Sequence, residues 1–184
     1  MRDTRSWIPT FTGKRFWPLD PNMGDVDIRD IAHHLSNICR FTGAVRQHYS
    51  VAQHSVLVSK NTPQQDALWG LLHDATEAYM NDMSRPLKRH QFLRLYRVAE
   101  DRLLDCIASR FGLPGVMPES VHIEDARAFC TEVRDVLPSC WGEFAFNDPD
   151  VSGQPWPETI EIWSPEKSEQ LFLMRYEELT GTRV

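Results

Sequence analysis

The sequence predicts an all-α fold, a compact helical bundle with an irregular amino-terminal arm and a Pro- and Trp-rich carboxy-terminal segment. Three observations carry this. Apolar residues recur at three- and four-residue spacing from residue 25 to about residue 137. The stretch LWGLLHDATEAY at 68–79 is apolar around most of its circumference, as a central buried helix requires. Only ETIEIW, near the carboxy terminus, reads as a short extended piece. With 184 residues, 41% of them hydrophobic, the chain is long enough for one sizeable core. The expected organisation is one domain over 1–184: an arm (1–24), a helical core (25–137), and an extended segment followed by a terminal helix (138–184).

In chain order, Pro9, Gly13, Pro18, Pro21 and Gly24 punctuate the arm too often for a long helix, so it reads as an ordered arm or short hairpin. From Asp25, the positions Ile28, Ile31, Ala32, Leu35, Ile38 and Cys39 predict a first helix ending near Gly43, with His33, Asn37 and Arg40 on one face. Ser50 is a cap for a second helix that carries His54 on its apolar side. Pro63 opens a third, running to about Met80. Residues 81–88 form a loop, a long helix runs from about Arg89 to Phe111 before Gly112 and Pro114, and a fifth spans 118–137. A final helix runs from Pro165 to Leu179.

The charge balance, 26 acidic against 20 basic residues, argues against a broad nucleic-acid surface. Cys39, Cys106, Cys130 and Cys140 form no CxxC pair and no disulfide framework, so they read as reduced thiols. No apolar run approaches the length of a membrane span and no charged-then-apolar leader follows Met1. The expectation is a cytoplasmic protein without nucleic-acid polymer or membrane partners, in a host cytoplasm if the source is viral.

The chemistry centres on His73-Asp74, which interrupts a run that otherwise reads as a buried helix, where ionisable groups need a partner or a metal. With His54 before it and Asp125 after it, two imidazoles and two carboxylates from three helices are available to close one divalent metal site. That donor set suits zinc, manganese, iron or cobalt better than magnesium. Glu77 lies three residues beyond Asp74, within one helical turn, beside any metal held there. Such a metal lowers the pKa of a bound water and polarises a phosphoryl oxygen, and a nearby carboxylate relays the proton. Arg40, Arg85 and Lys88 supply cations for phosphate oxygens.

Each residue also has a structural reading. His54 on an apolar face suits a hydrogen-bonded core histidine, Asp125 has Arg127 as a partner, and His33 with Asn37 and Arg40 suits a structural role. Arg85, Lys88 and Arg89 suit a solvated face, and Phe16 and Trp17 suit packing.

The stretches DIAHHLSNICRFTGAVRQHYSVAQHSVLVS, LWGLLHDATEAYMNDMSRPLK and HIEDARAFCTEVRDVLP resemble, in order and spacing, the HD-domain phosphohydrolases of the small 5′-deoxynucleotidase-like branch. The resemblance implies an HD-type helical bundle, with His54, His73, Asp74 and Asp125 as metal ligands. It implies Glu77 as the catalytic carboxylate near the water and Asp82 as a second acid near the leaving group. Arg40 takes the place of the phosphate-contacting arginine, and Lys88 that of the lysine after the loop proline. Phe41 stands where the bacterial deoxynucleotidases carry the tryptophan tied to deoxyribose preference.

The arm WIPTFTGKRFWPLDP is similar to that of the phage dATP triphosphohydrolases, which implies that Trp17 and Leu19 hold an adenine. The function so implied is hydrolysis of dATP to deoxyadenosine and tripolyphosphate, with dADP and dAMP as further substrates. The cofactor would be cobalt, zinc or manganese, with additional magnesium on the triphosphate, and the protein a dimer or an assembly of dimers. The alternatives are a broad 5′-deoxynucleotidase acting on monophosphates, and a nucleotide-sensing module whose metal is structural.

Overall fold

A computed structural model describes residues 6–138 and 153–184, so Cys140 and most of the Trp-rich segment lie outside the described residues. Helices dominate. They are α1 (Ile28–Asn37), α2 (Val51–Asn61), α3 (Ala67–Leu72), α4 (Glu77–Met80), α5 (Arg85–Arg89), α6 (Arg94–Phe111), α7 (Glu119–Asp135) and α8 (Pro165–Thr180). Among the described residues the one sheet is a hairpin, β1 (Ile8–Pro9) with β2 (Arg15–Phe16), antiparallel with Ile8 opposite Phe16. No helix among these residues is long and apolar enough to cross a membrane.

Of the two readings that its turn residues allow, an ordered arm or a short hairpin, the arm takes the second. It is fastened to α1 by Asp30, a fully buried carboxylate that accepts from the Thr12 amide (2.6 Å) and the Thr12 hydroxyl (3.0 Å). Phe16 is buried and stacks on Tyr79 of α4, with ring centroids 3.9 Å apart.

The core is organised around α2, which packs against α1, α3, α7 and α8. Ser50 caps it by accepting from the Gln53 amide, as its residue type predicts. Val51, Ala52, Val56 and Val58 are fully buried, and so are the polar Gln53, His54, Ser55 and Ser59. Each of Gln53, His54 and Ser59 has a specific partner, as burial of polar groups demands. Gly70 lets α3 approach closely: a Cβ there would stand 2.9 Å from Thr62 Oγ1 and 3.0 Å from Ser59 Cα.

Several boundaries differ from the sequence expectation. The first helix stops at Asn37, and Arg40 lies beyond it, so His33, Asn37 and Arg40 do not share one helix face. Ile38 turns extended because its carbonyl accepts from the Val51 amide and Cys39 bridges Ser50, contacts from distant sequence that outcompete helical propensity. A 3₁₀ turn at 41–43 follows, with Phe41 and Thr42 both at positive φ (56° and 54°).

The expected third helix, 63 to 80, is broken. Residues 73–76 form tighter turns, with Ala75 bonding back to Leu72 and Glu77 to Asp74, so α3 and α4 are separate pieces. The expected loop at 81–88 contains α5, started by Pro86 in its first turn with the Ser84 carbonyl accepting from Leu87 and Lys88. The long helix begins at Arg94, after a 3₁₀ turn at 91–93.

No described strand forms at ETIEIW. Its backbone bonds go instead to side chains of the bundle: Gln53 accepts from the Trp163 amide and donates to the Glu161 carbonyl, while Asp135 accepts from the Ile160 amide.

Candidate metal centre

Three helical pieces deliver the chemistry. His54 projects from the middle of α2, His73 and Asp74 sit in the tight turns after α3, and Asp125 comes from α7. Their donor atoms converge. His54 Nε2 and His73 Nε2 lie 3.1 Å apart, and Asp74 Oδ2 stands 3.5 Å from the first and 3.4 Å from the second. Metal–ligand bonds of about 2.1 Å separated by 90° to 109° span about 2.9 to 3.4 Å between donor atoms, so these spacings fit the edges of a coordination shell. His54, His73 and Asp74 are thus fit to hold a metal ion. Asp125 comes next to this group from α7, with Oδ1 3.2 Å from His54 Nε2 and 3.9 Å from His73 Nε2.

The outer faces of both imidazoles are spoken for. His54 Nδ1 donates to Glu132 Oε1 at 2.7 Å, and His73 Nδ1 donates to the Gly70 carbonyl at 2.8 Å. A carbonyl only accepts, so His73 Nδ1 carries a proton, and it is Nε2 that must give up its proton to ligate a metal. The Glu132 carboxylate likewise keeps a proton on His54 Nδ1. Imidazoles that ligate a metal carry this kind of support behind them.

The electrostatics agree. Burial and Arg40 both push the His54 pKa down, but Glu132 and Asp125 outweigh them and bring it up to about 9. His73 is raised likewise, burial being outweighed by Asp74. Asp125 is held at about 2, the attraction of His54 outweighing burial, and Asp74 falls well below the carboxylate range because His73 does the same for it. The negative potential that raises the imidazoles is the one that attracts a cation.

Glu77 is buried and its Oε2 has no hydrogen-bond partner among the described residues. Burial, with Asp74 and Asp82 adding repulsion, pushes its pKa far up. Asp82, half-buried at the start of the next segment, is raised mainly by burial. The structure therefore brings Glu77 and Asp82 into the field of the ligand cluster.

Arg40 arrives with them, although not from a helix. Its guanidinium bonds to Glu132 Oε2 at 3.0 Å and Asp74 Oδ2 at 3.5 Å, while its Nε has no partner among the described residues. Burial works against its charge, but Glu132 and Asp74 outweigh it and hold it protonated.

The other predicted contacts sit at the rim or away from it. Lys88 is paired with Glu100 at 2.6 Å, and Arg85 is exposed with its guanidinium 5.4 Å over the Phe129 ring. Phe41 is half-buried beneath the Arg40 guanidinium, 5.3 Å from its ring centroid. Trp17 and Leu19 follow β2 on the arm, whose docking contacts run to α1 and Tyr79; Leu19 is 60% exposed. His33 is structural, bonded to Glu169 and stacked on Phe11.

Sequence reasoning missed Glu132. Its signal was present: a carboxylate in the apolar run FCTEV, two helical turns after Asp125 and so on the same side of α7.

No protein-family model matches the chain. It is 41% identical over 180 residues to the uncharacterized protein YfdR of Escherichia coli K12, which covers 97% of this chain and 98% of that protein. The chain belongs to the YfdR family. An uncharacterized protein of Rhodobacter capsulatus is 37% identical over 126 residues, 64% of each chain. The YfdR-family match is long enough to take in the arm, the ligand-bearing helices and α8 together, so the candidate centre is built inside a unit shared end to end.

Proposed function

We propose that this YfdR-family chain is a metal-dependent phosphohydrolase of the HD type that cleaves the 5′ phosphoester of deoxynucleotides. The observation that carries the reading is the convergence of two Nε2 atoms and Asp74 Oδ2 within 3.1 to 3.5 Å, with Glu77, whose Oε2 is unpartnered among the described residues, in the field of Asp74.

His54, His73, Asp74 and Asp125 would hold a divalent transition metal such as cobalt, manganese or zinc. Such a metal, when bound, supplies Lewis-acid polarisation of the phosphoryl oxygen and a more acidic water. The chain's own residues do the rest. Arg40, fixed by Glu132 and Asp74, would offer phosphate oxygens a permanent positive charge and an Nε donor that has no partner among the described residues. Glu77 is buried and Asp82 half-buried, and burial with the neighbouring negative charge raises both pKa values, which favours a proton held by the pair. A pair holding one proton takes a proton from the attacking water through one member and gives one to the departing 5′ oxygen through the other. Water and dAMP then become phosphate and deoxyadenosine, with the pair returned to its starting charge.

The cation supply favours monophosphates. Lys88 is neutralised by Glu100 and Arg85 lies out on Phe129, which leaves Arg40, among the described residues, as the Arg or Lys bonded to a ligand. Hydrolysis of dATP to deoxyadenosine and tripolyphosphate is the second reading, favoured by the arm's similarity to the phage enzymes, with Trp17 and Leu19 as base contacts and magnesium on the triphosphate.

The test is chromatographic product analysis of the purified chain, loaded with cobalt, manganese or zinc, against deoxy and ribo mono- and triphosphates. Deoxyadenosine from dAMP supports the reading, and tripolyphosphate from dATP moves it to the second form. Tight nucleotide binding with no turnover under any metal would establish a binding module instead.

A further inference from the structure

Phe129 stands on α7 four residues after Asp125 and three before Glu132, the two residues of that helix that touch His54. Residues at those spacings share one helix face, so Phe129 belongs to the side of α7 that meets the metal centre. Its half-buried ring lies 6.0 Å from the Phe41 ring, and the two pack with Val133 and Leu137 in a cluster separate from the main core. A guanidinium covers each ring: Arg40 over Phe41 at 5.3 Å and Arg85 over Phe129 at 5.4 Å.

The backbone at this place is strained. Phe41 and Thr42 hold φ of 56° and 54°, a region that bulky and β-branched residues avoid. Strain of this kind persists where the surroundings impose it, often at ligand sites. Here it sets Phe41 directly after Arg40, whose guanidinium reaches Glu132 and Asp74. The arm is docked elsewhere, on α1 and Tyr79.

We propose that Phe129 is a specificity-determining residue: with Phe41 it forms an aromatic wall that receives the nucleobase of a nucleotide while Arg40 holds the phosphate. The inference rests on the nucleotide hydrolase reading and assigns base recognition to α7 and the 41–43 turn instead of the arm. Flat heteroaromatic bases stack on aromatic faces, and an adjacent guanidinium adds a second planar partner.

The test compares wild type, Phe129→Ala and Phe129→Leu on dAMP and on 2-deoxyribose 5-phosphate, which keeps the phosphate and sugar but has no base. Equilibrium binding of dAMP and of inorganic phosphate is measured alongside. Phe129→Ala raises KM and Kd for dAMP about tenfold, with kcat held within about twofold, and leaves the base-free ester and inorganic phosphate unmoved. Phe129→Leu keeps the packing and shows most of the same loss.

Equal losses on both esters, or an unchanged dAMP KM, overturn the proposal. If wild type hydrolyses neither ester, the hydrolase reading fails by itself, and the binding arm still decides this one. Selectively weakened dAMP binding in the variants then supports the wall. Unchanged dAMP binding, or none in wild type, overturns it.

Discussion

The floor of the candidate centre and its rim are built differently. His54, His73 and Glu132 lie at 0%, 8% and 0% exposure, wedged between α2, the turns after α3, and α7. The segment from α5 to α6, which carries Arg85 and Lys88, is open: Leu87 is 58% exposed, Phe92 84%, and Arg85 is exposed as well. Helices α2 and α7 are long and heavily packed, whereas α5 has five residues and the 41–43 turn has three. On the proposed function, geometry that must hold to a few tenths of an ångström would sit in the packed part, and contacts that choose a substrate where side chains can adjust. Substitutions in the floor should therefore change stability and metal affinity together, and substitutions at the rim should change KM alone.

The largest effect is expected from His73→Ala. It removes one of the convergent Nε2 atoms, and hydrolysis should fall by a factor on the order of 10³ or more, with metal binding lost by calorimetry. A folded variant with wild-type turnover ends the metal-centre reading.

Glu132→Gln comes next. It keeps the shape but removes the charge that faces both His54 Nδ1 and the Arg40 guanidinium. Metal affinity should drop about 10- to 100-fold. Because the substitution breaks an ion pair whose carboxylate is fully buried, urea denaturation should report a loss of about 3 kcal/mol. A loss of stability with unchanged metal affinity would confine Glu132 to packing.

The third effect is in pH. His54 in the folded chain is raised to about 9 from an ordinary value near 6.5, so in chelator-treated protein its contribution to stability is complete below pH 6.5 and is lost as pH rises through 9. A metal must displace that proton, so metal affinity should rise about tenfold per pH unit over the same window. A flat affinity between pH 6.5 and 9 would mean that His54 does not bind the metal through Nε2.

The smallest expected effect lies at the rim. Thr42→Gly relieves a β-branched residue at φ 54°, so thermal stability should stay level or rise by about 1 kcal/mol. The KM should rise because Arg40 and Phe41 lose a fixed pivot. Unchanged KM would show that the strained turn plays no part in substrate binding.

Much of this was legible in the sequence, for identifiable reasons. Ser50 announces the start of α2 because a hydroxyl before an apolar run satisfies orphan amides. His73-Asp74 stands out because charge in an apolar run needs a partner. Glu132 carried the same signal two turns beyond Asp125, but one more glutamate in a helix looks like a solvated residue until the neighbouring elements are known. Arg40 was placed on the first helix because Ile38 and Cys39 continue its periodicity; the Cys39–Ser50 bridge that ends the helix joins residues eleven apart.

What the sequence determined alone is local: the all-α class, an arm without a long helix, the caps, and the residue types able to bind a metal and a phosphate. Each follows from side-chain chemistry acting within a few residues. Tertiary structure decided the rest. It broke the third helix at 73–76, aimed both Nε2 atoms at one point through Glu132 and the Gly70 carbonyl, spent Lys88 on Glu100, and seated the arm on α1. These outcomes depend on which distant groups meet when α2, α3 and α7 pack, and no local pattern contains that information because the energies that decide it arise only in the packed interior.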